Sequence, residues 1–191
     1  NTSTVIHHRT YRLFLAFLGG VCAYFPWSAF THASETIPVP TQPTIKLGMS
    51  AAFTGPAAEL GKNMATGIRT ALDEANRAGG VHDHALELIA LDDGYEPART
   101  APNMHALIEG HGVLTVIGNV GTPTAVAAIP IANEYGVALF GAYTGAGVLR
   151  RSVPDRYIIN VRASYAEETA AMVDGLVEHA GIRPEEIAFF T

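Results

Sequence analysis

Ile45-Lys46-Leu47-Gly48-Met49-Ser50-Ala51-Ala52-Phe53-Thr54-Gly55-Pro56 is the stretch that decides the fold. Ile45 to Ala52 is short and apolar, bounded by Pro43 on one side and by Thr54-Gly55-Pro56 on the other, which predicts a buried strand followed by a turn. Beyond the turn, Met64, Ile68, Ala71, Leu72 and Ala75 recur at helical spacing, and Gly79-Gly80 stops the helix.

The same alternation continues downstream. Leu86 to Leu91 reads as a second strand, and a helix from Pro97 buries Ala101, Met104, Leu107 and Ile108 and ends at Gly110. Val113 to Ile117 is a third strand. Thr122-Pro123 opens a third helix, with the threonine as N-cap and proline at the first helical position; Pro130 inside it should kink or divide it. Val137 to Phe140 and Tyr157 to Val161 read as strands four and five. Ser164 and Glu167 form a capping-box pattern ahead of a helix expected to bury Ala166, Ala170, Val173, Val177 and Ala180. Gly181 closes that helix, and Ile187 to Phe190 begins another strand. Strands alternating with amphipathic helices predict an α/β fold with a doubly wound parallel sheet. Such sheets bind ligands beyond the carboxyl ends of their strands. The loops that matter are therefore 50–61, 92–97, 118–123 and 141–147.

Upstream of the folded part, His7, His8, Arg9 and Arg12 precede an apolar run from Leu13 to Phe25, and Thr31-His32-Ala33 offers small residues for cleavage. This order predicts a cleavable secretory signal over residues 1–33. The run is shorter than the ~20 residues that span a bilayer as a helix. Residues 34–43, with Pro38, Pro40 and Pro43, read as an extended linker. Cutting after Ala33 removes Cys22, the only cysteine, and leaves an acidic, thiol-free, exported chain.

Composition narrows the chemistry. The 191 residues are 48% hydrophobic and 16% charged, which fits one folded domain and excludes a wholly disordered chain. With 12 Lys and Arg against 18 Asp and Glu, the net charge of −6 argues against a nucleic-acid partner. Neither a dinucleotide G-x-G-x-x-G turn nor a P-loop is present, so no nucleotide cofactor is expected. No G-x-S-x-G elbow occurs, and His105, His111 and His179 lie on or beside helices, so no catalytic set is visible. His82-Asp83-His84 reads as a solvated turn rather than a metal site, and Asp92-Asp93 as acids that anchor the following turn.

What the loops do contain is small and uncharged: Gly118, Gly121, Thr122, Gly141, Ala142, Thr144, Gly145 and Gly147. Glycines let a ligand approach the backbone, and hydroxyls with helix-start amides can hold a carboxylate without a basic side chain. Thr122 is the best-placed donor by this reasoning, with a plain helix cap as the alternative.

Several stretches, in order, resemble a known family: Ile45-Lys46-Leu47-Gly48 with Thr54-Gly55-Pro56, then residues 67–80 (GIRTALDEANRAGG), residues 86–97 (LELIALDDGYEP), Val116-Ile117-Gly118, Tyr143-Thr144-Gly145-Ala146 with Leu149-Arg150, and residues 160–165 (NVRASY). They are similar to the N-terminal part of the periplasmic substrate-binding proteins of ABC importers, in the leucine/isoleucine/valine-binding protein-like group. The resemblance implies the type I periplasmic-binding fold, two α/β lobes closing on a ligand by a hinge. It places a first, ligand-binding lobe at residues 44–163 and the start of an incomplete second lobe at residues 164–191. It also implies that Thr122, Thr144 and the carbonyl of Ala142 hold a ligand's carboxylate and ammonium. Leu60 stands where an aromatic is frequent, and Tyr143 offers a substitute wall; Phe53, in the turn after the first strand, is counted with them. The implied activity is binding without turnover: delivery of a small ligand, a branched-chain or related amino acid with amides and small organic acids also open, to an ABC permease in the inner membrane. The alternative is an extracellular ligand-sensing domain of a receptor or regulator with the same fold. A first lobe alone exposes apolar surface, so association and weak ligand affinity are expected.

Overall fold

The computed structural model describes residues 43–188. The signal over residues 1–33 and the linker up to residue 42 fall outside the described residues.

Strands β1 (Thr44–Ala51), β2 (Ala85–Asp92), β3 (Thr115–Ile117), β4 (Ala138–Phe140) and β5 (Ile158–Ile159) form one sheet in the order β2-β1-β3-β4-β5, with every pairing parallel. β1 and β2 pair along their whole length, from Thr44 with Ala85 to Ala51 with Asp92. The crossovers are α1 (Ala58–Arg77) between β1 and β2, α2 (Pro97–His105) between β2 and β3, and α3 (Thr122–Tyr135) between β3 and β4. Right-handed crossovers on this strand order place α1 on one face and α2 with α3 on the other.

Side-chain alternation along the strands matches that layering. Met49 and Ala51 of β1, with Leu88 and Ala90 of β2, pack under Met64, Ala65 and Ile68 of α1. Ile89 and Leu91 of β2, Val116 of β3 and Leu139 of β4 point the other way, into a larger core with Met104, Leu107, Ala125, Ala128, Ile129 and Ala132. Burying a side chain the size of Val116 or Leu139, both fully enclosed, contributes roughly 1.5–3 kcal/mol. β3 and β4 are the short central strands whose carboxyl ends lead directly into the 118–123 and 141–147 loops.

The sequence reading needs several corrections. Thr122 is not the N-cap: Gly121 occupies that position without a side-chain cap bond, and Thr122 is the first helical residue. Pro130 does not divide α3. It lies on the exposed side, and the carbonyl it deprives of a partner belongs to exposed Val126, where water can satisfy it. The second helix changes character, running as α2 to His105 and finishing as a π-helical turn over Ala106–Gly110. β5 is two residues long rather than five, because three-residue β4 offers little ladder and Asn160 turns its amide to the carbonyl of Leu149. Finally, α4 (Tyr165–Glu178) has the expected capping box, with Ser164 accepting from the Glu167 amide, but it buries nothing. Val173 and Val177 are half-buried, while Ala166, Ala170 and Ala180 are exposed, since none of the described elements covers that side. Ile187 and Ala188 are not in a strand, and the rest of that expected strand lies outside the described residues.

α1 meets β1 closely because residue 61 has no side chain. A Cβ at Gly61 would lie 1.8 Å from the Ala52 carbonyl oxygen. Gly61→Ala is therefore expected to lower stability by about 1–3 kcal/mol in urea unfolding, the usual cost of overpacking. Unchanged stability would mean that α1 can shift away from the strand freely.

Candidate ligand-binding site

Asp92 and Asp93 end β2 and organise the carboxyl edge of the sheet. Asp92 Oδ1 accepts the amides of Phe53 at 2.7 Å, Thr54 at 3.2 Å and Gly94 at 2.9 Å. Its Oδ2 accepts from the Thr54 hydroxyl at 2.6 Å and from Arg99 at 2.9 Å. Partial burial resists ionisation, but these donors outweigh it and hold the Asp92 carboxyl well below the usual carboxylate range. Asp93 is fully buried and accepts from Ser50 Oγ at 2.8 Å, Thr100 Oγ1 at 3.2 Å and the Tyr95 amide at 2.9 Å. The pair thus anchors the turn that follows it, as the sequence suggested, and the turn after β1 as well.

Asn119, at the end of β3, carries the tie across to the next loops. It is fully buried, donates through Nδ2 to the Ser50 carbonyl at 3.2 Å, and accepts the Tyr143 amide on its own carbonyl at 2.6 Å. Val120 and Tyr143 form a parallel bridge. This bridge lays the 118–123 loop against the 141–147 loop and brings Thr122 Oγ1 to 2.6 Å from Thr144 Oγ1. The first amides of α3, those of Thr122 and Thr124, have no intrahelical acceptor, which leaves partial positive charge beside the paired hydroxyls.

The other expected site residues are placed less uniformly. Ala142 is buried, and its carbonyl already accepts the Thr144 amide at 2.9 Å, leaving one lone pair. Tyr143 and Leu60, each 46% exposed, face a groove of about 580 Å³ that runs beside α1 past Met64, Ile68 and Ile117. Thr122 and Thr144 do not line that groove. Phe53 is half-buried against the cluster of Met49, Ala51, Ala65 and Val120, and its amide donates to Asp92.

Three residues beyond the expected set complete the arrangement. The phenol oxygen of Tyr165, the first residue of α4, lies 3.1 Å from Thr144 Oγ1. Arg150 donates to the carbonyls of Thr144 and Ala146 and of Arg162 and Ala163, at 2.8–3.4 Å, tying the 141–147 loop to the segment that precedes α4. Arg162 pairs with Glu168 and lies 5.0 Å from the ring centre of Tyr143 and 5.7 Å from that of Tyr165. Both cations are thus engaged with protein partners, and the groups around the cluster are neutral hydroxyls. An aromatic in the first turn after a Ser-x-x-Glu cap was the available sequence signal for Tyr165.

Among the described residues no group of three or more His, Cys, Asp or Glu side chains could hold a metal ion. His82 and Asp83 take left-handed backbone angles in a turn closed by a Val81–His84 bridge.

Residues 44–191 match the family model described as periplasmic binding protein. The chain belongs to that family. Among curated proteins it is similar to Leu/Ile/Val-binding protein homolog 7 of Brucella abortus, at 31% identity over 136 residues, which are 70% of this chain and 33% of the relative. Among solved structures it is similar to a possible leucine/isoleucine/valine-binding protein of Rhodopirellula baltica, with 60% identity and a TM-score of 0.71, covering 78% of this chain and 40% of the other. A branched-chain amino acid transporter substrate binding protein of Streptococcus pneumoniae, solved with isoleucine, matches at 25% identity and a TM-score of 0.61, covering 71% of this chain and 38% of the other. The chain thus spans well under half the length of these relatives. Members of this family are substrate-binding proteins.

The Asp92 clamp makes a pH-dependent prediction. Its folded value is depressed, so its stabilisation is complete above the unfolded carboxyl value of about 4 and is lost as pH falls from there toward the folded value. Asp92→Ala should cost about 1–3 kcal/mol at neutral pH and flatten the acid limb of a melting-temperature series followed by circular dichroism. An acid limb identical to that of the unaltered chain would show that Asp92 does not clamp the two turns.

Proposed function

We propose that this chain forms the ligand-holding part of a periplasmic solute-binding protein that delivers a branched-chain or related amino acid to an ABC permease in the inner membrane. The observation that carries the reading is the 2.6 Å approach of the Thr122 and Thr144 hydroxyls at the entry to α3. An amino-acid carboxylate set against this hydroxyl cluster meets the one hydroxyl proton the cluster leaves outward and the unpaired amides of a helix start, a combination suited to an anion without a counter-charged side chain. The carbonyl of Ala142 keeps one lone pair, enough to accept from the ligand's ammonium. Tyr143 and Leu60 supply apolar surface for an aliphatic side chain.

The names of the Brucella and Streptococcus relatives support the branched-chain class, and the family supports export to the periplasm. Residues 44–163 serve as the sheet-bearing lobe, with residues from 164 onward beginning the second, and closure of the two would bury the ligand.

Isothermal titration of the purified protein with L-leucine, L-isoleucine and L-valine tests this. Heat of binding to at least one is expected, and Thr122→Ala should weaken it by about 1–3 kcal/mol, because the cluster beside the carboxylate loses one of its hydrogen-bonded members. Absence of binding across the three, with the fold intact by circular dichroism, would sink the reading.

A further inference from the structure

Thr144 is the most enclosed member of the hydroxyl cluster, and its hydrogen-bonding capacity is full. Its Oγ1 lies 2.6 Å from Thr122 Oγ1 and 3.1 Å from Tyr165 Oη, and it accepts the Ala146 amide at 3.2 Å. A threonine hydroxyl has one proton and two lone pairs. The amide occupies one lone pair, and the two flanking hydroxyls take the other lone pair and the proton. Thr144 is also 0% exposed. It has no free donor and no open surface to present to a ligand, whichever way the protons run.

Its two partners do have access. Thr122 is half-buried, and Tyr165 is 49% exposed. Two proton orders are possible along the row. In one, Tyr165 donates to Thr144 and Thr144 to Thr122, which leaves the Thr122 proton pointing outward. In the other, Thr122 donates to Thr144 and Thr144 to Tyr165, which leaves the phenol proton outward. A phenol is a far stronger acid than an alcohol, and accepting a hydrogen bond makes it a better donor in turn, so an arriving anion selects the second order. The Arg162 guanidinium beside the ring, with Glu168 as its ion-pair partner, favours the same polarity. The Thr144 and Thr122 hydroxyls together hold the phenol below its ordinary value, against the opposing effect of partial burial.

The position of the phenol is fixed from behind. The Tyr165 amide donates to the Gly145 carbonyl at 2.9 Å, and a Cβ at Gly145 would come within 2.6 Å of Tyr165 Cδ1. Only a bare backbone at residue 145 lets the start of α4 rest against the loop that carries Thr144.

Resting on the proposed function above, we propose that Tyr165 is the ligand-facing end of this hydroxyl row, donating to an oxygen of the bound carboxylate, and that Thr144 is a positioning residue that acts through it. Carboxylate recognition then draws on α4 as well as on the sheet loops, and ligands lacking an anionic oxygen are selected against.

The test uses the purified chain, unaltered and as Tyr165→Phe, Thr144→Val and Thr144→Ser, with L-isoleucine as the probe. The near-ultraviolet difference between paired samples with and without Tyr165→Phe isolates the titration of that phenol. The expected result is a Tyr165 titration below that of the other tyrosines, moved upward by Thr144→Val and restored by Thr144→Ser. In parallel, isoleucine affinity falls about tenfold or more in Tyr165→Phe and Thr144→Val and recovers in Thr144→Ser. A phenol titration unmoved by Thr144→Val overturns the row, and unchanged isoleucine affinity in Tyr165→Phe overturns its ligand-facing role. The titration needs no ligand. If the unaltered chain ignores isoleucine while the titration pattern holds, the amino-acid reading fails and the hydroxyl row stands.

Discussion

The two carboxylates at the end of β2 keep the working edge of the sheet in one piece. Asp92 gathers donors from the turn after β1 and from its own following turn, and Asp93 does the same from inside the core, through Ser50 and Thr100. Ser50 lies on β1, whose carbonyl in turn receives Asn119 from β3, and the carbonyl of Asn119 receives the amide of Tyr143 beyond β4. Four successive loops are therefore joined by polar contacts across the strand ends. Each contact is modest in water, but removal of any one would leave a buried or half-buried partner unsatisfied, which is where hydrogen bonds matter most.

The proposed anion site lies on that edge, where the nearby basic side chains are committed elsewhere. Arg150 is held by four carbonyls and Arg162 by Glu168 and two aromatic rings. What remains is a row of hydroxyls at a helix start, whose dipoles suit a carboxylate without requiring a buried cation.

Much of this architecture is legible in the sequence, because local signals and tertiary packing agree. Pro43 and Gly55-Pro56 bracket β1, Pro97 starts α2, and Ser164 with Glu167 starts α4. The parallel α/β sheet follows from that alternation. The misses arise where a partner outside the local window decides the outcome. Thr122 has the residue type of a cap, yet its hydroxyl is drawn to Thr144, 22 positions away. Val173 and Val177 show the spacing of a buried face, but spacing says nothing about whether an element covers them. Tyr165 was visible as part of a resemblance and not as a contributor to the cluster, because only the fold brings the start of α4 against Gly145. The likeness in the Thr122 and Thr144 loops pointed to two positions that the fold brings within hydrogen-bonding distance, while the lack of free capacity on Thr144 could be read only from distances.

Backbone amide spectroscopy of a nitrogen-15 labelled sample during addition of L-isoleucine tests the central claim most directly, since it reports which loop meets the ligand. Shifts concentrated at Thr122, Thr124, Thr144, Gly145 and Tyr165, with the α1 groove responding only at its Leu60 and Tyr143 end and Ile68 and Leu72 unmoved, are the predicted result. Shifts confined to the α1 groove, or a spectrum that isoleucine leaves untouched, would contradict the account.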